Sequence, residues 1–150
     1  MTQEALLAYA HFLAILTLVV FLTSEAALCR PEWLNAATVE RLAKIDAIYG
    51  ISAMAVLATG LARAFWGIKG SGWYWTHWLL HLKIGMFVVV ALLSIVPTIQ
   101  FSRWRRTLRA SGALPDAAQV RKVRRLVMVQ AHIVPLIPLA AVFLARGFGK

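Results

Sequence analysis

Apolar residues in this chain do not alternate with polar ones; they run on for long stretches, four times over. Each stretch reaches the length of about 20 helical residues that crosses a hydrocarbon core of about 30 Å. The first runs from about Ala5 to Ser24 without a charge, and the second from about Lys44 to Phe65. The third runs from about Trp75 to Phe101 and the fourth from about Leu126 to Ala145. Turn-forming residues separate them: Arg30-Pro31-Glu32, Gly67 to Gly72, and Ser111-Gly112 with Pro115-Asp116. Asn35 is placed to cap an interfacial helical turn leading into the second span, and Pro97, Pro135 and Pro138 predict kinks. The pattern predicts an all-α protein, an integral membrane four-helix bundle built as one domain over residues 1–150.

Composition supports lipid as the main solvent, with 61% hydrophobic and only 15% charged residues. The net charge of +10 does not point to nucleic acid, because the basic residues flank apolar runs and so face lipid headgroups. Eleven of the 16 basic residues fall in the first and third loops, whereas Arg63, Lys69, Arg146 and Lys150 fall on the other side. Positive-inside reasoning then places both termini outside the cytoplasm. No Lys or Arg precedes the first apolar run, so that run is expected to be retained rather than cleaved. The lone Cys29 excludes an intrachain disulfide, and no zinc spacing exists.

Inside the spans, ionisable residues carry the information, because each costs about 2.5–3.5 kcal/mol for Lys or Asp at a helix centre on insertion scales. His11 and His81 each lie about six residues inside their spans from the same side, a depth of roughly 9 Å. Two imidazoles at one depth on different helices are able to grip one guest between them. His77 lies one turn above His81 and Gly85 one turn below, and Gly85 and Gly60 leave room for something flat. Lys83 is about 200° around the helix from His81, facing a neighbouring helix or snorkelling to the headgroups. Arg63 is placed to neutralise an anionic group between helices. A second polar layer holds Glu25, Asp46, Tyr49 and His132, read either as carboxylates paired with Arg41 and the third-loop cations or as a proton path or second ligand site.

Plainer roles stand beside each of these. A membrane histidine also serves as an interhelical hydrogen-bonding residue, at about 0.6 kcal/mol on average. His77 sits among Trp73, Trp75 and Trp78 as an interfacial polar residue would, and Met54 and Met86 fit core packing better than axial ligation.

The chain resembles a bacterial family of small membrane proteins catalogued as a domain of unknown function. The stretches that carry this are Ala10-His11-Phe12-Leu13-Ala14-Ile15, Leu57-Ala58-Thr59-Gly60-Leu61, Leu93-Ser94-Ile95-Val96-Pro97-Thr98, Arg103-Trp104-Arg105-Arg106 and Ala145-Arg146-Gly147. More distantly it resembles the HemJ-type protoporphyrinogen oxidases, four-helix haem b proteins of the bacterial inner membrane. His11-Phe12-Leu13 and Trp78-Leu79-Leu80-His81-Leu82-Lys83 carry that second likeness, with one extra residue before His81. It implies a multi-pass inner-membrane protein with His11 as haem ligand and His81 and Lys83 as site residues. Gln130-Ala131-His132-Ile133-Val134-Pro135 departs from that family's Asn-Glu-x-Pro element, which bears on porphyrinogen oxidation more than on haem binding.

The leading expectation is a b-type haem redox protein with His11 and His81 as the axial pair. Propionates would point toward Arg63, Lys69 or His77, Lys83 would assist the chemistry, and electrons would pass to a quinone or come from a porphyrin. Homo-oligomers are compatible with this reading. One rival is a transition-metal permease or binding module, with His11, His77 and His81 as ligands and Met54 or Met86 assisting a cuprous ion. The other is a structural or accessory membrane subunit. No Walker loop, dinucleotide fingerprint, nucleophile elbow or paired-carboxylate site occurs.

Overall fold

Helices account for all regular secondary structure among the residues described, which are 2–66, 72 and 78–146 of a computed structural model. Helix α1 spans Thr2–Leu28, and a short 3-10 turn at Pro31–Trp33 leads to α2, Ala36–Trp66. Helices α3, α4 and α5 span Trp78–Ser111, Ala117–Ile133 and Leu136–Ala145. Four stretches are long and apolar enough to cross a membrane, the fourth running through α4 into α5.

Two helices are longer than a membrane requires. At 1.5 Å per residue, the 34 residues of α3 reach about 51 Å, against a hydrocarbon core of about 30 Å. The excess lies at the basic end of the bundle, where 29–35 and 112–116 make the connections. Arg103, Arg105, Arg106 and Arg109 therefore ride on the end of α3, and Arg121 to Arg125 on the start of α4, rather than in a long third loop. Apolar runs reveal where lipid ends, and helices continue past that point because water tolerates them equally well.

Local chemistry sets the helix ends. Asn35 Oδ1 accepts from the Thr38 amide at 2.9 Å, so α2 starts at the interface and continues without a break into its span. Asp116 Oδ1 accepts from the Gln119 amide at 2.8 Å and caps α4. Gly112, at φ 71°, closes α3 and returns its amide to the Leu108 carbonyl at 2.8 Å. Within the spans, Thr17, Thr23 and Ser24 bond carbonyls four residues back, so their hydroxyls are satisfied where no water reaches.

Helices α1, α2, α3 and α4 form a ring of neighbours, α4 packing back on α1, while α5 packs mainly on α3. The core belongs to the basic half: Leu22, Leu42, Phe101, Val120 and Val127 are wholly buried there. Among the described residues, a small cluster of Leu79 and Leu80, with Ile84, sits near the other end, the terminal end.

Of the three prolines expected to kink helices, Pro135 interrupts one, whereas Pro97 and Pro138 lie within continuous helices. Pro135 separates α4 from α5, with the Val134 amide still bonded to Gln130 O at 2.9 Å. Pro97 stays inside α3 and is buried. Having no N–H, it leaves the Leu93 carbonyl without its helical donor. Gln130 of α4 answers, its Nε2 donating to Leu93 O at 3.4 Å while its Oε1 accepts from Tyr49 O–H at 2.9 Å.

Candidate functional site

One face of α2 organises the interior. Leu42, Asp46, Tyr49, Ala53, Val56, Gly60 and Arg63 recur at intervals of three and four residues, so they line one stripe. Polar residues occupy its two ends, and Ala53 and Val56 keep the middle apolar. From Tyr49 to Thr59 the helix rises roughly 15 Å, which separates two polar clusters.

The cluster at the terminal end is built around His11. Its Nδ1 lies 2.7 Å from Oγ1 of Thr59. The Thr59 hydroxyl also lies 2.6 Å from the Ala55 carbonyl, to which it donates. A hydroxyl has one proton, and two oxygens that close need it between them, so the Thr59 oxygen accepts from His11 Nδ1–H. The tautomer follows: His11 Nε2 carries the lone pair. The ring rests on Gly60, where an added Cβ would meet His11 Cε1 at 3.3 Å. The flat object that Gly60 admits is thus the His11 imidazole itself.

Arg63 and Lys83 complete this cluster, both within electrostatic range of His11 and of each other. Lys83, from α3, is half-buried and turned toward this interior rather than out toward lipid. The structure therefore brings together three of the expected site residues, His11, Arg63 and Lys83, and adds Thr59. Thr59-Gly60 carries a signal that points to this role: a small hydroxyl residue beside a glycine on the inward stripe of α2.

His81 lies elsewhere. It is exposed and lines an open apolar groove of about 530 Å³ with Gly85 and Met86 of α3 and Ile133 and Leu136 from the α4–α5 junction. Depth counting along two helices does not fix rotation about them. Lys83, not His81, shares the surroundings of His11. Met54 is exposed on α2, and His77 and Lys69 fall outside the described residues.

The cluster toward the basic end departs from the expected salt-bridge layer. Glu25 and Asp46 are buried, yet among the described residues no cation pairs with either. Asp46 Oδ1 accepts from Thr98 at 2.9 Å, and Glu25 Oε1 has no hydrogen-bond partner. Arg124 turns instead to the Ala26 and Cys29 carbonyls, at 2.7 and 3.4 Å. The carboxylate that is paired is Glu40, held by Arg109 through two bonds of 2.7 and 2.9 Å. Both of those groups reach water, where the pair needs no desolvation, whereas bringing an arginine inside to Glu25 would. His132 is exposed on α4, its Nδ1 2.6 Å from the Met128 carbonyl, and Gln130 takes its place beside Tyr49.

Among the described residues no group of three or more His, Cys, Asp or Glu side chains is arranged to hold a metal ion. Four apolar spans among the described residues, with two polar clusters set between helices, define a multi-pass helical membrane protein. Residues 3–149 match the family model described as predicted membrane protein (DUF2214), and the chain belongs to that family. No curated protein and no solved structure matches the chain.

Proposed function

We propose that the protein is a membrane redox protein that binds a b-type haem, or a porphyrin with free carboxylates, at the terminal end of the bundle. The observation that carries this is the Thr59–His11 bond, which leaves Nε2 of His11 as a ready donor for a metal. Metal-bound imidazoles regularly give their other N–H to a fixed acceptor, and Thr59 supplies one. Arg63 and Lys83 suit the acidic side chains of such a ring, because cations in an apolar setting favour anionic partners. The distant HemJ-type likeness, through His11 and the His81-x-Lys83 pair, agrees with this choice.

The residues fit such a group through one imidazole, not two, since His81 opens on the other side of α3. When bound, haem would supply one-electron chemistry. Of the chain's own groups, His11 would hold and orient, Thr59 would fix the imidazole, and Arg63 with Lys83 would balance charge. The apolar groove at His81 suits an isoprenoid quinone as the electron acceptor. The excess of cations at the basic end supports placing that end in the cytoplasm of a bacterial cell and both termini outside.

An absorption spectrum tests the reading. Protein purified in mild detergent is expected to be red, with an intense near-ultraviolet band and sharp visible bands on reduction. His11→Ala is expected to abolish the spectrum, Thr59→Val to weaken haem retention about 10-fold or more, and His81→Ala to leave the bands in place. A colourless preparation that stays colourless with added hemin refutes haem binding. Copper without iron would favour the metal reading, for which His81 and Met86 on one groove are the relevant pair.

A further inference from the structure

We infer that Glu25 and Asp46 form a proton-binding site inside the bundle, one proton being held between the two carboxyl groups and supplied from the aqueous phase at the basic end. This concerns residues separate from the His11 cluster and stands or falls independently of haem.

Glu25 of α1 is 1% exposed and Asp46 of α2 is 6% exposed, and the two lie within electrostatic range of each other. Two carboxylates that close, both ionised and away from water, repel each other and forfeit their hydration. A cation would relieve this, but the nearest candidate, Arg124, spends its guanidinium on the Ala26 and Cys29 carbonyls. Arg41 and Lys44 are exposed on the outer surface of α2. Among the described residues, the other groups placed near the site are Tyr49 from α2, whose O–H is committed to Gln130, Thr98 from α3, which donates to Asp46, and the Cys29 thiol beyond the end of α1. None of them supplies a positive charge. A proton is the smallest cation that resolves the pair, and protonation also turns the partnerless Glu25 oxygen region from a bare acceptor into a group able to donate.

The approach we assign lies at the basic end. A polar cleft of about 320 Å³, lined by Arg30, Pro31, Glu32, Arg121 and Arg124, opens at the basic end. Arg124 belongs both to this cleft and to the carbonyl of Ala26, the residue next to Glu25. Farther along the bundle lie the Asp46–Thr98 and Tyr49–Gln130 pairs, beyond which α2 presents Ala53 and Val56. The device loads a proton from one side and does not by itself conduct across. In the loading step a water-borne proton adds to one carboxylate oxygen, forming one O–H bond and cancelling one negative charge.

Infrared spectroscopy on the whole protein in lipid bilayers reads this directly. At neutral pH the wild type is expected to show the carbonyl stretch of a protonated carboxyl group, shifted in heavy water. The other acidic residues, Glu4, Glu32, Glu40 and Asp116, lie outside the buried layer and contribute carboxylate bands only. Glu25→Gln, a neutral group of nearly the same shape, is expected to keep the fold and remove the band entirely. Should that variant not fold, Asp46→Asn serves the same purpose. Absence of the band from the wild type at neutral pH overturns the proposal, as does a band that survives both substitutions. Loss of the wild-type band on adding sodium chloride at constant pH also overturns it, in favour of a metal-cation site.

Discussion

A Cβ built on Gly60 would lie 3.3 Å from Cε1 of His11, so helix α1 makes its close approach to α2 where position 60 carries no side chain. Gly50, nearly three turns away on the same helix, would meet nothing within 4 Å. Ordinary helix propensity favours alanine over glycine by about 1 kcal/mol. Gly50→Ala is therefore expected to raise thermal stability in detergent slightly. Gly60→Ala is expected to gain nothing or to lose, because the His11 ring is pinned by Thr59 and has no slack. Equal gains at both positions would show that the ring does not rest on Gly60.

Gln130 serves two helices at once, and its removal exposes that. Gln130→Leu strands the buried Tyr49 hydroxyl, at about 1–3 kcal/mol for such a group left unpaired, and takes a donor from the part-buried Leu93 carbonyl. Pro97→Ala restores an N–H for Leu93 and is expected to offset part of that loss. A double-mutant cycle followed by denaturation in detergent measures the coupling between positions 97 and 130, and strict additivity would contradict the link.

Cys29 lies just past α1, buried, with its Sγ 3.9 Å from the Val120 carbonyl. Burial pushes its thiol up to about 12, Glu25 adding to the rise and Arg124 opposing it. The thiolate is the nucleophile, so alkylation by iodoacetamide at neutral pH is expected to be slow until detergent denaturation releases the group. Mass spectrometry of the intact protein distinguishes the two states, and rapid labelling of the native protein would mean the connection between α1 and α2 opens.

Glu40 and Arg109 pair on the segments of α2 and α3 that extend beyond the spans. The Arg109 guanidinium, chiefly through its hydrogen bond, holds the Glu40 carboxyl below its usual 4.5. Its contribution is thus present above 4.5 and is lost as pH falls through the lowered folded value. Exposure to water keeps the effect small. The melting temperature of Glu40→Gln should lie slightly below wild type at neutral pH and converge with it in acid; a constant gap would assign the difference to something other than ionisation.

Orientation is open to a direct measurement. A phosphatase reporter that works only outside the cytoplasm, fused after Lys150, is expected to be active, and one inserted at Gly112 to be silent. The reverse pattern would invert the assignment drawn from the cations.

Parts of the candidate site are legible residue by residue. His11 and Arg63 stand out because ionisable groups are costly in lipid, and Lys83 because its angle from His81 can be counted. Thr59 is marked only by the glycine beside it, since threonines within membrane helices usually bond their own backbone, as Thr17 and Thr23 do. His81 illustrates the opposite case: equal depth with His11 says nothing about azimuth, and His81 lines the groove beside α5. Glu25 and Asp46 invite salt bridges on depth alone, yet the cations nearest in depth are answered by carbonyls and by Glu40.

Length and hydropathy, read without coordinates, determined the number of spans, their order and the ends at which cations gather, because transfer into lipid sums along a helix and needs no partner. Rotation of each helix about its axis depends on which side chains interlock. Only the folded bundle therefore decided that His11 meets Thr59, that Gln130 repairs the gap left by Pro97, and that Glu25 and Asp46 are buried with no cation paired to either among the described residues.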